Sequence, residues 1–351
     1  MRRLLHPLAL LVLAAGLAAC DSVTPAARLD CTVSGAPGIT YTQDDGATLA
    51  PNASAARAFV LGLAVLDGVA PDGQALAAVV DGRAYVSRDG GCSWAAGESV
   101  GGASRLAGAG HVAYAWDPGA DAIAEVGASG AASARALPDG VAAAVGLGAD
   151  GADVRIGADT GQLFASADGG RTWAPSGVPA PTGAVERNVY HVAFDPDDPQ
   201  RALLSQLAGP TGPGSLWRTD DGGRTWTEPA LDRRAIVYVT AFADGGRAWA
   251  FGRRPSDGVS VLMRSDDRGR SFETVATSGP GVVITNGPPH APDGDGIVWS
   301  SYSSLEGVAT LYRYEGGAVT AASAPRRSGY GVILAPRPGL LVLGSSPGPS
   351  E

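Results

Sequence analysis

Five aspartates occupy one recurrent setting, two residues after a serine or threonine and four before another. They are Asp44 in "TQDDGATL", Asp89 in "SRDGGCSW", Asp168 in "SADGGRTW", Asp221 in "TDDGGRTW" and Asp267 in "SDDRGRSF". Each lies within two residues of a glycine and reads as a lone carboxylate facing its own backbone, suited to accepting hydrogen bonds from its own turn. Calcium needs several converging oxygens, so no metal is expected at these octets. "DPDDP" at 195–199 gathers more carboxylates, but proline and aspartate in a strand-to-strand turn account for it without an ion. The four histidines form no metal spacing, and His191 in "VYHVAF" reads as a packed or hydrogen-bonded residue.

Arginine is the other group with binding chemistry. All 26 basic residues are arginine, since the chain holds no lysine. Arg187, the pairs Arg233 and Arg234, Arg253 and Arg254, and Arg326 and Arg327 fall in segments that read as loops, with Tyr190 beside the first. Guanidinium forks suit carboxylates and phosphates and stack on aromatic rings, which makes these residues the candidate ligand-binding set. The alternative is a solvated surface on which arginine supplies every positive charge. A net charge of −9 argues against nucleic acid or an anionic membrane surface as partner. The heavy use of alanine and glycine looks like a high-GC genome and suggests no mechanism.

The elements that position these residues follow from the repeat. In "QLFASADGGRTWAPSG" an alternating strand runs into glycines able to take positive φ, and the chain returns as a second strand. Trp94, Trp173, Trp226 and Phe272 end their octets and are expected to lie over the hairpin as buried surface. The octet aspartates recur about 45 to 53 residues apart, with one gap of 79 that should hold a degenerate unit near 111–137. A second degenerate turn is "RYEGGAVT" at Arg313–Thr320. A period in the mid-forties is that of a four-stranded propeller blade. The C-terminus offers two strands and the N-terminus two more, which together complete one blade and close the ring. The expected fold is all-β, a single propeller of seven antiparallel four-stranded blades, or six if 101–137 is an insertion.

The octet resembles the Asp-box, or BNR repeat, of sialidases, sortilin-type receptors, some glycosidases and photosystem II assembly factors. The resemblance implies that octets join third and fourth strands on one face and build scaffold, while the opposite face carries binding or catalysis. Sialidases of this kind also need an Arg-Ile-Pro motif, two further arginines, a tyrosine with its glutamate, and an aspartate acid/base. The chain has no Arg-Ile-Pro, and Tyr190, Tyr238, Tyr330 and Glu186 match no such set. No catalytic residue and no cofactor are therefore assigned, and a sialidase-like glycoside hydrolase is kept as the alternative. The resemblance to photosystem II assembly factors implies a binding role. A purely structural envelope component is a third reading.

"MRRLLHPLALLVLAAGLAAC" has a basic start and an apolar run too short to span a bilayer, and so reads as a signal peptide. Its Leu-Ala-Ala-Cys ending resembles the bacterial lipoprotein box, which implies lipidation at Cys20. The expected divisions are 1–19 signal peptide, 20–38 tether and 39–351 propeller. The chain is then a monomer of the bacterial cell envelope, held to a membrane by lipid alone and binding an envelope protein or an anionic or carbohydrate ligand. Cys31 and Cys92 remain, in a compartment that permits a disulfide between the closing blade and its neighbour.

Overall fold

The computed structural model describes residues 30–346 apart from 55, 57, 68–74, 182–188, 207–214, 232–234, 280–283, 285–289, 304–306 and 327–328. Seven sheets follow one another along the chain. The first blade is Val60–Leu66, Ala75–Val80, Arg83–Ser87 and Ala95–Ser99, and the second is Arg105–Ala109, Val112–Trp116, Ala122–Gly127 and Ala132–Ala136. The third is Ala144–Asp150, Asp153–Ala158, Leu163–Ser166 and Ala174–Ser176. The fourth has Val189–Asp195, Asp198–Gln206 and Ser215–Thr219, with a bridge from Arg218 to Thr227 in the fourth place. Ile236–Ala243, Arg247–Arg253, Ser260–Ser265 and Ser271–Thr277 make the fifth, and His290–Asp293, Gly296–Ser303, Val308–Glu315 and Ala318–Arg326 the sixth.

The seventh blade joins both ends of the chain. Gly329–Arg337 pairs with Leu340–Ser346, which pairs with Ile39–Thr42 in the register Ile39 to Gly344 through Thr42 to Leu341. The fourth place is taken by Ala50, whose N–H donates to the Tyr41 carbonyl at 2.9 Å. Its own carbonyl accepts from the Thr40 hydroxyl at 2.6 Å. Residues 101–137 are thus part of a regular blade and not an insertion, and the ring has seven blades. Each of the seven seams between neighbouring blades holds an apolar cluster, and the seam between the first and second blades holds two.

The stacking of blade faces explains why second strands such as "ALAAVV" (Ala75–Val80) are buried at every position and do not alternate. Small residues are also required where first strands approach the channel. A Cβ at Gly146 would lie 2.0 Å from the Val192 carbonyl oxygen, and one at Gly331 would lie 2.3 Å from that of Val60. The abundance of alanine and glycine therefore has a packing role that composition alone did not suggest.

The stretch Cys31–Gly38, assigned above to the tether, is packed onto the ring. Val33 is fully buried, Ser34 N–H donates to the Cys92 carbonyl at 2.9 Å, and Trp94 N–H donates to that of Ser34 at 3.0 Å. Cys31 and Cys92 are joined by a disulfide.

Candidate functional site

The octets connect third to fourth strands in the first, third, fourth, fifth and seventh blades, and their aspartates face their own backbone. In each, the opening hydroxyl donates to the aspartate at 2.7–2.9 Å and accepts the N–H of the fifth-position glycine at 2.8–2.9 Å. The aspartate also accepts the N–H four residues on at 2.8–2.9 Å. Burial works against the charged form of Asp267, but hydrogen bonds from the Ser271 hydroxyl and N–H and from Ser265 outweigh it and hold the carboxyl down at about 2. Hydrogen bonds from Thr172 and Ser166 lower Asp168 as well.

The tryptophans differ from expectation. Trp94 is buried, but Trp173 and Trp226 are half-buried and reach across to the preceding blade. Trp173 Nε1–H donates to the Ala136 carbonyl at 3.0 Å and Trp226 Nε1–H to that of Val178 at 2.9 Å. They join neighbouring blades as well as covering their own turns.

"DPDDP" is a turn between first and second strands, where Arg201 pairs with buried Asp195 at 2.8 Å and with Asp198 at 3.0 Å. Of the candidate arginines, Arg187, Arg233, Arg234 and Arg327 lie outside the described residues, as does the Arg326 side chain. Arg253 and Arg254 turn into their own loop: Arg253 Nε–H donates to the Gly258 carbonyl at 3.1 Å, and Arg254 pairs with Asp257 at 2.8 Å. A shared arginine rim is therefore not formed by these two. Tyr190 is half exposed where the fourth blade's first strand begins.

The geometry instead draws attention to the mouth of the central channel. First strands begin on the face opposite the octets, and in five of them one extra residue bulges out of register at nearly the same place. The bulged residues are Leu61, Val145, Tyr190, Tyr238 and Gly331. A bulge re-aims a side chain and commonly does so beside a site. Leu61 is 39% exposed and Tyr190 50%, with Phe59 at 51% just before the first strand and Tyr302 at 36% near the end of the sixth blade's second strand. Four of the five large apolar side chains exposed among the described residues thus lie on this face. Gly329 and Gly331 carry bare backbone between them: a Cβ on the first would lie 4.0 Å from Tyr302 and one on the second 2.8 Å from Leu61.

His191 follows the bulge at Tyr190 and stands four residues before Asp195; in the second blade, whose first strand has no bulge, Arg105 stands four residues before Ala109. His290 opens the first strand of the sixth blade, its ring 5.1 Å from Phe251. His191 Nδ1 accepts a long hydrogen bond from the Thr240 N–H at 3.5 Å. Burial first, then His290 and Arg105, push the His191 imidazole down to about 3, so it is neutral at neutral pH. Sequence reasoning did not find this mouth, because a bulge depends on pairing with a second strand.

No protein-family model matches the chain. Among curated proteins, dispase autolysis-inducing protein from Streptomyces mobaraensis is 31% identical over 319 residues, spanning 85% of this chain and 83% of that protein. The chain belongs to this family. Its fold is also that of several solved propellers. YCF48 from Cyanidioschyzon merolae aligns with a TM-score of 0.61 at 13% identity, over 83% of this chain and 96% of that one. Virginiamycin B lyase from Staphylococcus aureus aligns at 0.57 with 10% identity, over 82% and 95%. The GH74 xyloglucanase from Xanthomonas campestris aligns at 0.54 with 16% identity, over 75% of this chain and 45% of that one. At such identities the likeness is one of architecture, and a lyase, a glycosidase and YCF48 share it.

Proposed function

We propose that this member of the family is an exported, non-catalytic propeller whose channel-mouth face binds a protein partner, and that the partner is a peptidase whose self-cleavage the contact promotes. The observation that carries the reading is that Phe59, Leu61, Tyr190 and Tyr302, four of the five large apolar side chains exposed among the described residues, lie on the face opposite the octets. Exposed aromatic and aliphatic groups gathered on one side mark an interaction surface. The relative named for inducing dispase autolysis supports the nature of the partner. A propeller of the same architecture, YCF48, has been solved bound to D1 peptide, which supports a binding use of such a scaffold.

Incubating dispase with the full chain and following intact dispase over time tests this. The native chain is expected to hasten its loss, and Phe59→Ala combined with Tyr190→Ala and Tyr302→Ala to slow that effect at least tenfold without lowering the melting temperature. Unchanged dispase decay with the native chain would refute the proposed partner.

Anchoring belongs to the same proposal: export by residues 1–19 and lipidation at Cys20 would hold the propeller at the cell envelope. Cys20→Ser is then expected to move the protein from the membrane to the soluble fraction, and membrane retention of that variant would count against the anchor.

A further inference from the structure

We infer that Asp81 is a positioning residue of the channel-mouth face: it clamps the backbone of Phe59 so that the exposed ring meets the protein partner from one fixed place. The inference rests on the proposed protein-binding role of this face and names the group that holds it ready.

Phe59 stands between two buried residues, Ala58 at 2% exposure and Val60 at 0%, and is itself 51% exposed. Packing holds such a ring weakly, so its place depends on the backbone that carries it. Asp81 N–H donates to the Phe59 carbonyl at 3.1 Å, and Phe59 N–H donates back to Asp81 Oδ1 at 3.0 Å. The preceding residue is fixed from the other side, where the Ser345 hydroxyl of the seventh blade donates to the Ala58 carbonyl at 2.7 Å. Both bonds made by Phe59 therefore go to one residue.

The turn explains why that residue is an aspartate. Asp81 and Gly82 join the second and third strands of the first blade with φ of 48° and 74°, a two-residue hairpin that favours Asp-Gly. Aspartate and asparagine are among the few L residues that visit this region. The turn is itself tied down, since the N–H of buried Val100 donates to the Gly82 carbonyl at 3.0 Å. A carboxylate on a fixed turn is a fixed acceptor.

The third blade shows the same arrangement without its side-chain half. Asp159 N–H donates to the Ala143 carbonyl at 3.1 Å, as Asp81 does to Phe59, but Asp159 Oδ1 has no partner. The residue ahead of that first strand is alanine, and the returning bond is found where the exposed aromatic is. Phe59 and Leu61 also line a cavity of about 410 Å³ with Val79, Asp81 and Gly102, so the clamp sets the mouth of that cavity. A ring held in place before contact loses less freedom on binding, which raises affinity without adding a contact.

Two substitutions of Asp81 in the full chain test this. Asp81→Gly keeps the turn, because glycine takes positive φ freely, and keeps the N–H to Phe59, but it removes the side-chain acceptor. Asp81→Asn keeps both the turn and an acceptor oxygen. Asp81→Gly is expected to slow the induced loss of intact dispase about fivefold, and Asp81→Asn to recover most of that effect. Amide hydrogen exchange at Phe59 in the free chain should quicken about tenfold in Asp81→Gly and stay near native in Asp81→Asn. Asp81→Gly combined with Phe59→Ala should act on dispase no more slowly than Phe59→Ala alone, because the clamp works through that ring. Losses that multiply, an equal loss in Asp81→Asn, or unchanged exchange at Phe59 in Asp81→Gly overturn the inference. A native chain that leaves dispase intact, with exchange at Phe59 still quickened in Asp81→Gly, would remove the proposed function and leave the clamp standing.

Discussion

At the scale of the residue, the octet aspartates make folding depend on pH. Asp267 titrates at about 2 in the folded chain against 3.8 for the free group. As pH falls, the unfolded chain therefore takes up its proton first, and the contribution present above about pH 4 is lost between about pH 4 and pH 2. The other four octet aspartates are shifted in the same direction. Melting temperatures from pH 6 to pH 2 should thus fall steeply below pH 4, and less steeply in Asp267→Asn, which cannot titrate. Parallel curves for the two proteins would show that the octet hydrogen bonds do not couple to folding.

At the scale of the element, the octet and the strand interact in ways that set the blade edges. Where octet position four is not glycine, Asp45 and Arg268 adopt φ of 56° and 63°, and each meets an arginine of the preceding blade. Arg313 Nε–H donates to Asp45 at 2.8 Å and Arg218 Nε–H to the Arg268 carbonyl at 2.8 Å. These contacts help hold residues in a backbone region that L side chains avoid. In the fourth blade, Pro229 lacks the N–H that would continue the pairing after Thr227. The chain crosses instead to the fifth blade, where Ala230–Leu231 runs parallel to Ser271–Thr277.

The N-terminal segment is fastened in a different way, by the Cys31–Cys92 disulfide that ties it to the first blade's octet. With the cysteines 61 positions apart in the chain, the chain-entropy account gives the bond about 4 kcal/mol. Cys31→Ser with Cys92→Ser should lower the unfolding free energy by an amount of that order, measured by denaturant titration. A difference below about 1 kcal/mol would mean that backbone pairing alone holds the segment.

At the scale of the whole molecule, closure is the decisive feature. Leu340–Ser346 pairs on one side with Gly329–Arg337 and on the other with Ile39–Thr42, so it joins the two ends of the chain. Ending the chain at residue 339 would leave two unpaired edges and open the apolar clusters on both sides of the seventh blade. The truncated protein is expected to aggregate, or to unfold without a single cooperative transition. A soluble monomer melting like the full chain would show that closure is dispensable.

The sequence by itself determined the repeat, the hairpins around each octet and the sharing of one blade between the ends. These rest on local rules: glycine where φ is positive, alternation where one face is covered, a fixed period where one unit recurs. It also pointed to a unit near 111–137, although no octet marks it, because the gap between Asp89 and Asp168 spans about two periods, but it left 101–137 open as an insertion, and only the structure chose seven blades over six. Only the tertiary structure decided the partners of side chains that leave their own blade. Trp173 reaches Ala136, Arg313 reaches Asp45, and Gly146 has no room for a Cβ against Val192. The candidate mouth belongs to this second class. Arg105, His191 and His290 are 86 and 99 residues apart in the chain, and no spacing rule links them. Their strands begin on one face because seven twisted sheets close into a ring, and bulges in pairing, which a single strand cannot reveal, set where five of the first strands present their side chains.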